Sequence, residues 1–377
     1  MNILLVNWQD LHNPHAGGAE IHLFELFARL ASRGHQVSLV CSGFEGGAPR
    51  EVVRGIDVQR TGDRHSFAWR GRRAVRDAIR AFHPDVLVDD INKLPLYTPI
   101  LTRVPVYAII PHLFGTTAFQ EVSWPMAATV WAAERLIPSV YRQAWFHAIS
   151  DSTRDDLVAR GVPRERIAVV YPGVDAVHYA PAEPAQRDAD RFVYIGRLKR
   201  YKGVEYLIEA VAEARRRGRR LTVDIAGSGD DRPRLEGIAR ARGVADSVHF
   251  RGFVDEATKL SLLRRAVANV FPSPKEGWGI TVMEAAACGT PSVASDSPGL
   301  RDSVRNGSTG LLVPHGDVSA LADAMLRLAD DAALVEQLGR SARAHAERLS
   351  WDAAANTVES HLRDIVAGQV SPLSFSA

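Results

Sequence analysis

The sequence predicts an α/β protein built on two parallel sheets. Short apolar runs alternate with helical stretches along most of the 377 residues, the pattern of parallel strands joined by crossover helices. The alternation falls into two successive series. Between them, Tyr179-Ala180-Pro181-Ala182-Glu183-Pro184-Ala185-Gln186 has the proline and alanine content of an exposed connector.

In the first series, strands are placed at Asn2 to Val6, Gln36 to Val40, Asp85 to Val88, Pro105 to Ile110, Phe146 to Ile149 and near Val169-Val170. The helix after the first strand carries Leu23, Phe24, Phe27 and Leu30 on one face. The second series begins at Arg191 to Ile195. It continues with Leu221 to Ala226, Val248 to Phe250, Asn269 to Phe271, Pro291 to Ala294 and Gly310 to Val313. Closing helices are expected over about Asp317 to Ala329, Ala332 to Arg348 and Trp351 to Val366, followed by a frayed tail from Gln369 to Ala377. Each series is similar to a Rossmann-like unit, which places domains at 1–180 and 181–350 and a C-terminal helix with its tail at 351–377. Length by itself allows roughly two or three domains of about 100 to 200 residues.

Composition excludes several classes. Hydrophobic content of 46% and charged content of 24% are those of an ordinary soluble chain, and the apolar runs are too short to span a bilayer. Met1 to Val6 is apolar but Trp8, Gln9 and Asp10 follow, without the basic start, long apolar stretch and small-residue cleavage site of a signal peptide. Cytoplasmic placement is therefore expected, with peripheral contact at the inner face of a membrane as an extension. Cys41 and Cys288 lie far apart without a C-x-x-C, so two free buried thiols are expected. A net charge of +2 is too small for a dedicated nucleic-acid binder, and the arginines are scattered. Arg70, Arg72, Arg73, Arg76 and Arg80 nevertheless form one basic segment, and Arg215, Arg216, Arg217, Arg219 and Arg220 another at a helix end.

The most informative stretch is Glu276-Gly277-Trp278-Gly279-Ile280-Thr281-Val282-Met283-Glu284. Gly277 and Gly279 loosen a turn ahead of a helix from about Ile280 to Cys288, so backbone N–H groups can face a polar ligand. Glu276 then sits before the helix and Glu284 one turn inside it. Two carboxylates on one wall accept hydrogen bonds from separate hydroxyl-bearing parts of a ligand, while the helix start favours its anionic part. Gly196-Arg197-Leu198-Lys199-Arg200-Tyr201-Lys202-Gly203 follows the first strand of the second series, where Arg197 and Lys202 can neutralise a diphosphate. Gly17 and Gly18, after the first strand of the chain, can offer adjacent N–H groups to an anion. That loop is not G-x-G-x-x-G, which disfavours a nicotinamide dinucleotide.

The stretch from Phe271 to Asp296, FPSPKEGWGITVMEAAACGTPSVASD, resembles the donor-site signature of retaining glycosyltransferases of family 4, also called glycosyl transferases group 1. With the other motifs, the resemblance covers essentially the whole chain. It implies the GT-B fold, in which two Rossmann-like domains face each other across a cleft and the final helix crosses back onto the first domain. It also implies a nucleoside-diphosphate sugar, UDP- or GDP-linked, as donor substrate rather than cofactor, and transfer of a hexosyl unit to an acceptor. Arg197 and Lys202 correspond to the diphosphate-binding residues, Glu276 to the sugar carboxylate and Glu284 to the ribose carboxylate. Gly17 and Gly18 would touch the diphosphate, and Gly277, Trp278, Gly279 and Ile280 would line the donor. Gly227, in Gly227-Ser228-Gly229, resembles a donor-side loop, and Val254, in Gly252-Phe253-Val254, the segment whose backbone binds the base. Phe253 itself reads as core before stacking platform.

His112, ending the strand Pro105 to Ile110, matches a histidine that hydrogen-bonds the donor sugar. Ser150 reads as a helix N-cap. The implied chemistry is retention through a short-lived oxocarbenium ion pair, with no enzyme nucleophile. No catalytic metal is expected, because fixed Arg and Lys charges hold the leaving group and the D-x-D triplet Asp188-Ala189-Asp190 reads as solvated linker. Two alternatives stay open: a non-hydrolysing sugar-nucleotide epimerase of related fold, and a catalytically silent glycosyltransferase-like binding protein.

The acceptor is not encoded in a motif. Trp124, Trp131 and Trp145 fall within Leu113 to Phe146, and Trp124, Ala128, Trp131 and Arg135 share one helical face. Core packing is the leading reading of that face. The alternative is an apolar acceptor cleft or a membrane-surface patch beside the Arg70 to Arg80 run, for a lipid-linked or otherwise partly apolar acceptor.

Overall fold

The computed structural model describes residues 1–115, 119, 123–182 and 187–369. They form two compact units, residues 1–172 together with the C-terminal stretch from Trp351, and residues 173–350. Each unit has its own parallel sheet.

The first sheet comprises β1 (Asn2–Val6), β2 (Gln36–Ser42), β3 (Arg50–Val53), β4 (Ile56–Thr61), β5 (Val86–Asp90), β6 (Val106–Ile110), β7 (Trp145–Ala148) and β8 (Ile167–Val169). Among the described residues its order is β3-β4-β2-β1-β5-β6-β7-β8, parallel except for β3 against β4. β5 and β6 are buried at every position, and apart from Asp89 and Asp90 at the end of β5 they are apolar, as strands covered on both faces tend to be. The hairpin β3–β4 is not among the strands expected from the sequence. Arg54 at φ 51° and Gly55 at φ 83° turn it in two residues, with the left-handed backbone that matches strand twist.

Helices α1 (Gly18–Ser32), α2 (Phe67–Phe82), α3 (Trp124–Arg135) and α4 (Asp151–Ala159) follow β1, β4, β6 and β7. Phe67, Val75 and Ala78 of α2 share a core with Leu4, Leu87, Ile110, Tyr141 and Phe146. Ser150 caps α4, its hydroxyl accepting from the Thr153 N–H at 3.1 Å. The face of α3 expected to pack inward is the outer one: Trp124 is 74% and Trp131 36% exposed, whereas Ala127 and Glu134 are buried. The cause is Glu134, whose carboxylate accepts from the N–H groups of Phe114 at 2.6 Å and Gly115 at 2.8 Å and so turns that side of the helix inward.

The second sheet comprises β9 (Arg191–Ile195), β10 (Thr222–Ala226), β11 (Val248–Gly252), β12 (Ala268–Phe271), β13 (Ser292–Ser295) and β14 (Gly310–Val313), in the order β11-β10-β9-β12-β13-β14. Its longer helices are α5 (Val204–Arg216), α6 (Arg232–Ala241), α7 (Glu256–Arg265), α8 (Ile280–Ala287), α9 (Val318–Asp330) and α10 (Ala332–Ala346). Strand order runs outward from β9 to β10 on one side and restarts at β12 on the other, so β9 and β12 flank a topological switch point. The last helix, α11 (Trp351–Ala367), packs along α1 in the first unit.

The junction falls earlier than the sequence suggested. Residues 173–180 belong to the second unit, because the Val174 N–H donates to Leu349 O at 2.8 Å and Tyr179 is buried with its hydroxyl 2.6 Å from Glu256. The exposed connector therefore does not begin at Tyr179. Residues 183–186 and the tail from 370 lie outside the described residues.

Candidate functional site

Two candidate donor residues of the second unit, Lys202 and Glu276, meet beside the switch point between β9 and β12. The loops leaving β9 and β10 touch backbone to backbone: a Cβ on Gly227 would stand 1.9 Å from Gly196 O, and one on Gly229 would stand 2.0 Å from Leu198 O. Only glycine fits there, which fixes the path of Gly196-Arg197-Leu198. Arg197 is exposed, its guanidinium 3.4 Å from the Tyr201 hydroxyl. Lys202 is buried at the end of a short 3-10 turn, and Gly203, at φ 66°, starts α5.

The Lys202 ammonium donates to Glu276 Oε1 at 2.5 Å. This contact joins the loop after β9 to the loop between β12 and α8. Burial would lower the Lys202 pKa, but the Glu276 carboxylate outweighs it and holds the amine above its ordinary value. The Glu276 loop rests on Gly299, where a Cβ would stand 2.1 Å from Glu276 O. Gly279, at φ 93°, caps α8, so Ile280 is the first helical residue. Trp278 is only 3% exposed, and its indole is part of the interior.

Glu284 lies on α8, 12% exposed at its side chain, and accepts from the Lys259 ammonium at 3.1 Å. Lys259 also pairs with Glu256 at 2.9 Å, and its ammonium sits 5.0 Å from the centre of the Tyr179 ring. Burial, then the Glu284 charge, pushes the Tyr179 phenol far up, so it serves as a donor to Glu256. Val254 is half-buried just beyond β11. Phe253 corrects the sequence reading: it is 86% exposed, because it follows Gly252 (φ 70°) at the end of an edge strand where no described residue covers it.

In the first unit, Gly17 and Gly18 open α1, and the Gly17 N–H donates to Glu20 Oε2 at 2.7 Å. An anion using that N–H must displace the Glu20 carboxylate, a capping contact the sequence reading overlooked. His112 stands half-buried just after β6, its ring 4.9 Å from that of Phe114. Because Glu134 holds the N–H groups of Phe114 and Gly115, the His112 loop is fastened to α3.

Residues 16–178 match the family described as Glycosyltransferase Family 4, and residues 179–345 match Glycosyl transferases group 1. The chain is 30% identical to a glycogen synthase of Mycobacterium tuberculosis over 93% of its own length and 91% of the relative's. It is 34% identical to a D-inositol 3-phosphate glycosyltransferase of Streptomyces avermitilis, covering 94% of this chain and 85% of that one. The chain belongs to the group 1 glycosyltransferases. Its fold is shared with a sucrose-phosphate synthase from Thermosynechococcus elongatus, at TM-score 0.83 and 23% identity over 97% of this chain and 99% of the other. It is shared also with Anabaena HepE in complex with UDP-glucose, at TM-score 0.79 and 19% identity over 97% and 100%.

This glycosyltransferase uses its D-x-D triplet for ion pairs. Asp188 Oδ2 accepts from Arg191 at 2.7 Å and Arg265 at 2.8 Å, and Asp190 accepts from Arg219 at 3.1 Å. Among the described residues, no group of three or more His, Cys, Asp or Glu is arranged to hold a metal ion. Nor is any described helix long and apolar enough to cross a membrane. Lys259 went unnoticed in the sequence because nothing local links it to Glu284. Asp90, at the end of β5, was likewise missed: it is buried, neither carboxylate oxygen has a hydrogen-bond partner among the described residues, and burial holds its pKa well above the usual carboxylate range.

Proposed function

We propose that this chain is a retaining, metal-independent hexosyltransferase that uses a UDP- or GDP-linked sugar and a partly apolar hydroxyl acceptor. The observation that carries the reading is the Lys202–Glu276 contact of 2.5 Å at the switch point, the place where open α/β sheets bind ligands. A cation and a carboxylate held together there divide the donor between them. Lys202, with Arg197, takes the diphosphate, and Glu276, released from its partner, accepts from the hydroxyls of the hexose. Glu284 takes the ribose, with Lys259 shifting toward Glu256 as the hydroxyls arrive.

Gly17, Gly18 and the backbone from Gly277 to Ile280 supply N–H donors, Gly227 lets the diphosphate loop close up, and Val254 offers backbone to the base. His112 is assigned to the donor sugar by the family resemblance. The acceptor hydroxyl attacks the anomeric carbon on the face the diphosphate leaves. Its proton passes to the leaving phosphate oxygen, so configuration is kept without an enzyme nucleophile. Preorganised charge on the leaving group supplies the rate enhancement. The Anabaena neighbour was captured with UDP-glucose, which makes UDP the first nucleotide to titrate.

Isothermal titration with UDP and GDP, followed by transfer assays in excess EDTA with NMR of the product, tests the reading. Nucleotide binding, turnover in EDTA and an anomeric coupling constant matching the donor's are expected. Inversion of that configuration, or activity that returns only with Mg²⁺ or Mn²⁺, overturns it.

A further inference from the structure

We propose that the outer face of α2 and α3 in the first unit is a docking surface for an anionic lipid bilayer. On α2, Trp69, Arg73, Arg76 and Arg80 project from one stripe, since spacings of three and four residues return to the same side of a helix. Trp69 is 82% exposed, and the side chains of Arg73 and Arg80 are 88% and 78% exposed. Five arginines against one aspartate, Asp77, leave the helix strongly basic. An exposed tryptophan set among arginines suits the boundary between head groups and acyl chains, where the ring enters the apolar layer and the guanidinium groups stay with phosphate.

α3 continues the surface. Trp124, Met126 and Leu136, just past the helix end, are exposed, and the Arg135 guanidinium lies 4.5 Å from the centre of the Trp131 ring. The two helices lie on the same side of the sheet: α2 packs on the core that also holds Ile137 and Tyr141, directly after α3. Between them, the Tyr97 hydroxyl donates to Ala133 O of α3 at 3.0 Å, and Tyr97 feels the Arg72 charge of α2. Ile100, exposed in the next turn of chain, adds another apolar side chain to the strip between the helices.

The mixture selects the occupant. A nucleic acid would use the arginines but leave Met126, Leu136 and Ile100 in water; an anionic bilayer takes both. Docking also has a purpose, which rests on the transfer reading: α3 is fastened through Glu134 to the loop carrying His112, so an acceptor carried in the lipid is brought to the loop that serves the sugar.

The test is co-sedimentation of the full chain with vesicles of phosphatidylcholine alone or with about one third phosphatidylglycerol, at low and high salt. Binding to the anionic vesicles only, reversed by salt, is expected. Arg73→Ala/Arg76→Ala/Arg80→Ala should weaken it about a hundredfold, since each arginine near an anionic surface contributes about fivefold. Trp69→Ser/Trp124→Ser should reduce the blue shift of tryptophan emission on binding to what Trp131 alone contributes. Both variants alter exposed side chains, so melting temperature and UDP titration should match the parent. Absence of anionic-vesicle binding at low salt overturns the proposal, as does self-association of the parent that the same variants abolish. UDP binding measured in parallel separates either failure from failure of the transfer reading.

Discussion

Lys202 and Glu276 hold each other in a nearly buried pair, and removing one partner leaves the other's charge uncompensated. Lys202→Ala should lower kcat by about a hundredfold to a thousandfold, the scale of losing one preorganised donor to a leaving group. Steady-state kinetics with saturating donor checks this, and near-parental turnover would return Lys202 to a purely structural role. Glu276→Gln should relax discrimination among donor sugars while UDP affinity holds; Glu284→Gln should weaken free UDP. Titration of both variants with UDP and with several sugar nucleotides separates the two carboxylates. The E-x7-E pair was legible because turn and helix fix the relation of Glu276 to Glu284 within nine residues of chain. Lys259 was not, since the ion pair joining it to Glu284 is made between α7 and α8 and follows from packing rather than from local sequence.

The helices and strands were legible where apolar periodicity was strong, as in β1, α1 and β9, and illegible where direction rather than period was at stake. Periodicity placed Trp124 and Trp131 on one face of α3 but did not say which face the core takes; the buried Glu134 decided that. The hairpin at Arg54-Gly55 did carry a signal, a glycine between two β-branched runs, that passed unread. Two predictions belong at this scale. Gly299→Ala must push against Glu276 O, so it should displace the loop before α8 and weaken nucleotide-sugar binding even where the fold survives, as thermal melts with and without ligand will reveal. His22, on α1, is buried against His147 and Trp351, and burial holds its pKa down at about 4. Its folded value lies below its unfolded one, so the unfolded chain takes the proton first and stability is lost as pH falls from about 6.5 toward 4. Asp89, raised to about 6 by burial despite its hydrogen bonds from Thr98 and Tyr141, works in the opposite sense over part of that range. The readout is therefore a difference: the melting temperature of His22→Leu relative to the parent should rise steadily as pH is lowered from 7 to 5. A difference that does not change with pH would remove His22 from the acid response.

Two units with separate cores and a ligand site assigned largely to one of them imply separable responses to heat and nucleotide. Arg197, Lys202, Glu276 and Glu284 all lie in residues 173–350, whereas α11 packs on α1 in the other unit. The return of the last helix to the first unit was implied by the family resemblance, not by its own sequence, because an amphipathic helix does not name the surface that covers it. What covers it is α1, and the burial is large: Trp351, Val358, Leu362 and Ile365 are all enclosed. At about 1.5 to 3 kcal/mol for each such side chain, the helix contributes on the order of 6 to 12 kcal/mol. That is comparable with the roughly 5 to 15 kcal/mol by which a whole domain is stable. Truncation after Ser350 should therefore unfold the first unit and leave the second folded. Calorimetry should lose one transition, and the one that remains should still move upward with UDP, by the equivalent of about 2.7 kcal/mol at a hundredfold excess over Kd. If the truncated chain instead keeps both transitions, α11 is not what completes the first unit. If the surviving transition ignores UDP, the residues of the second unit do not suffice to hold the nucleotide.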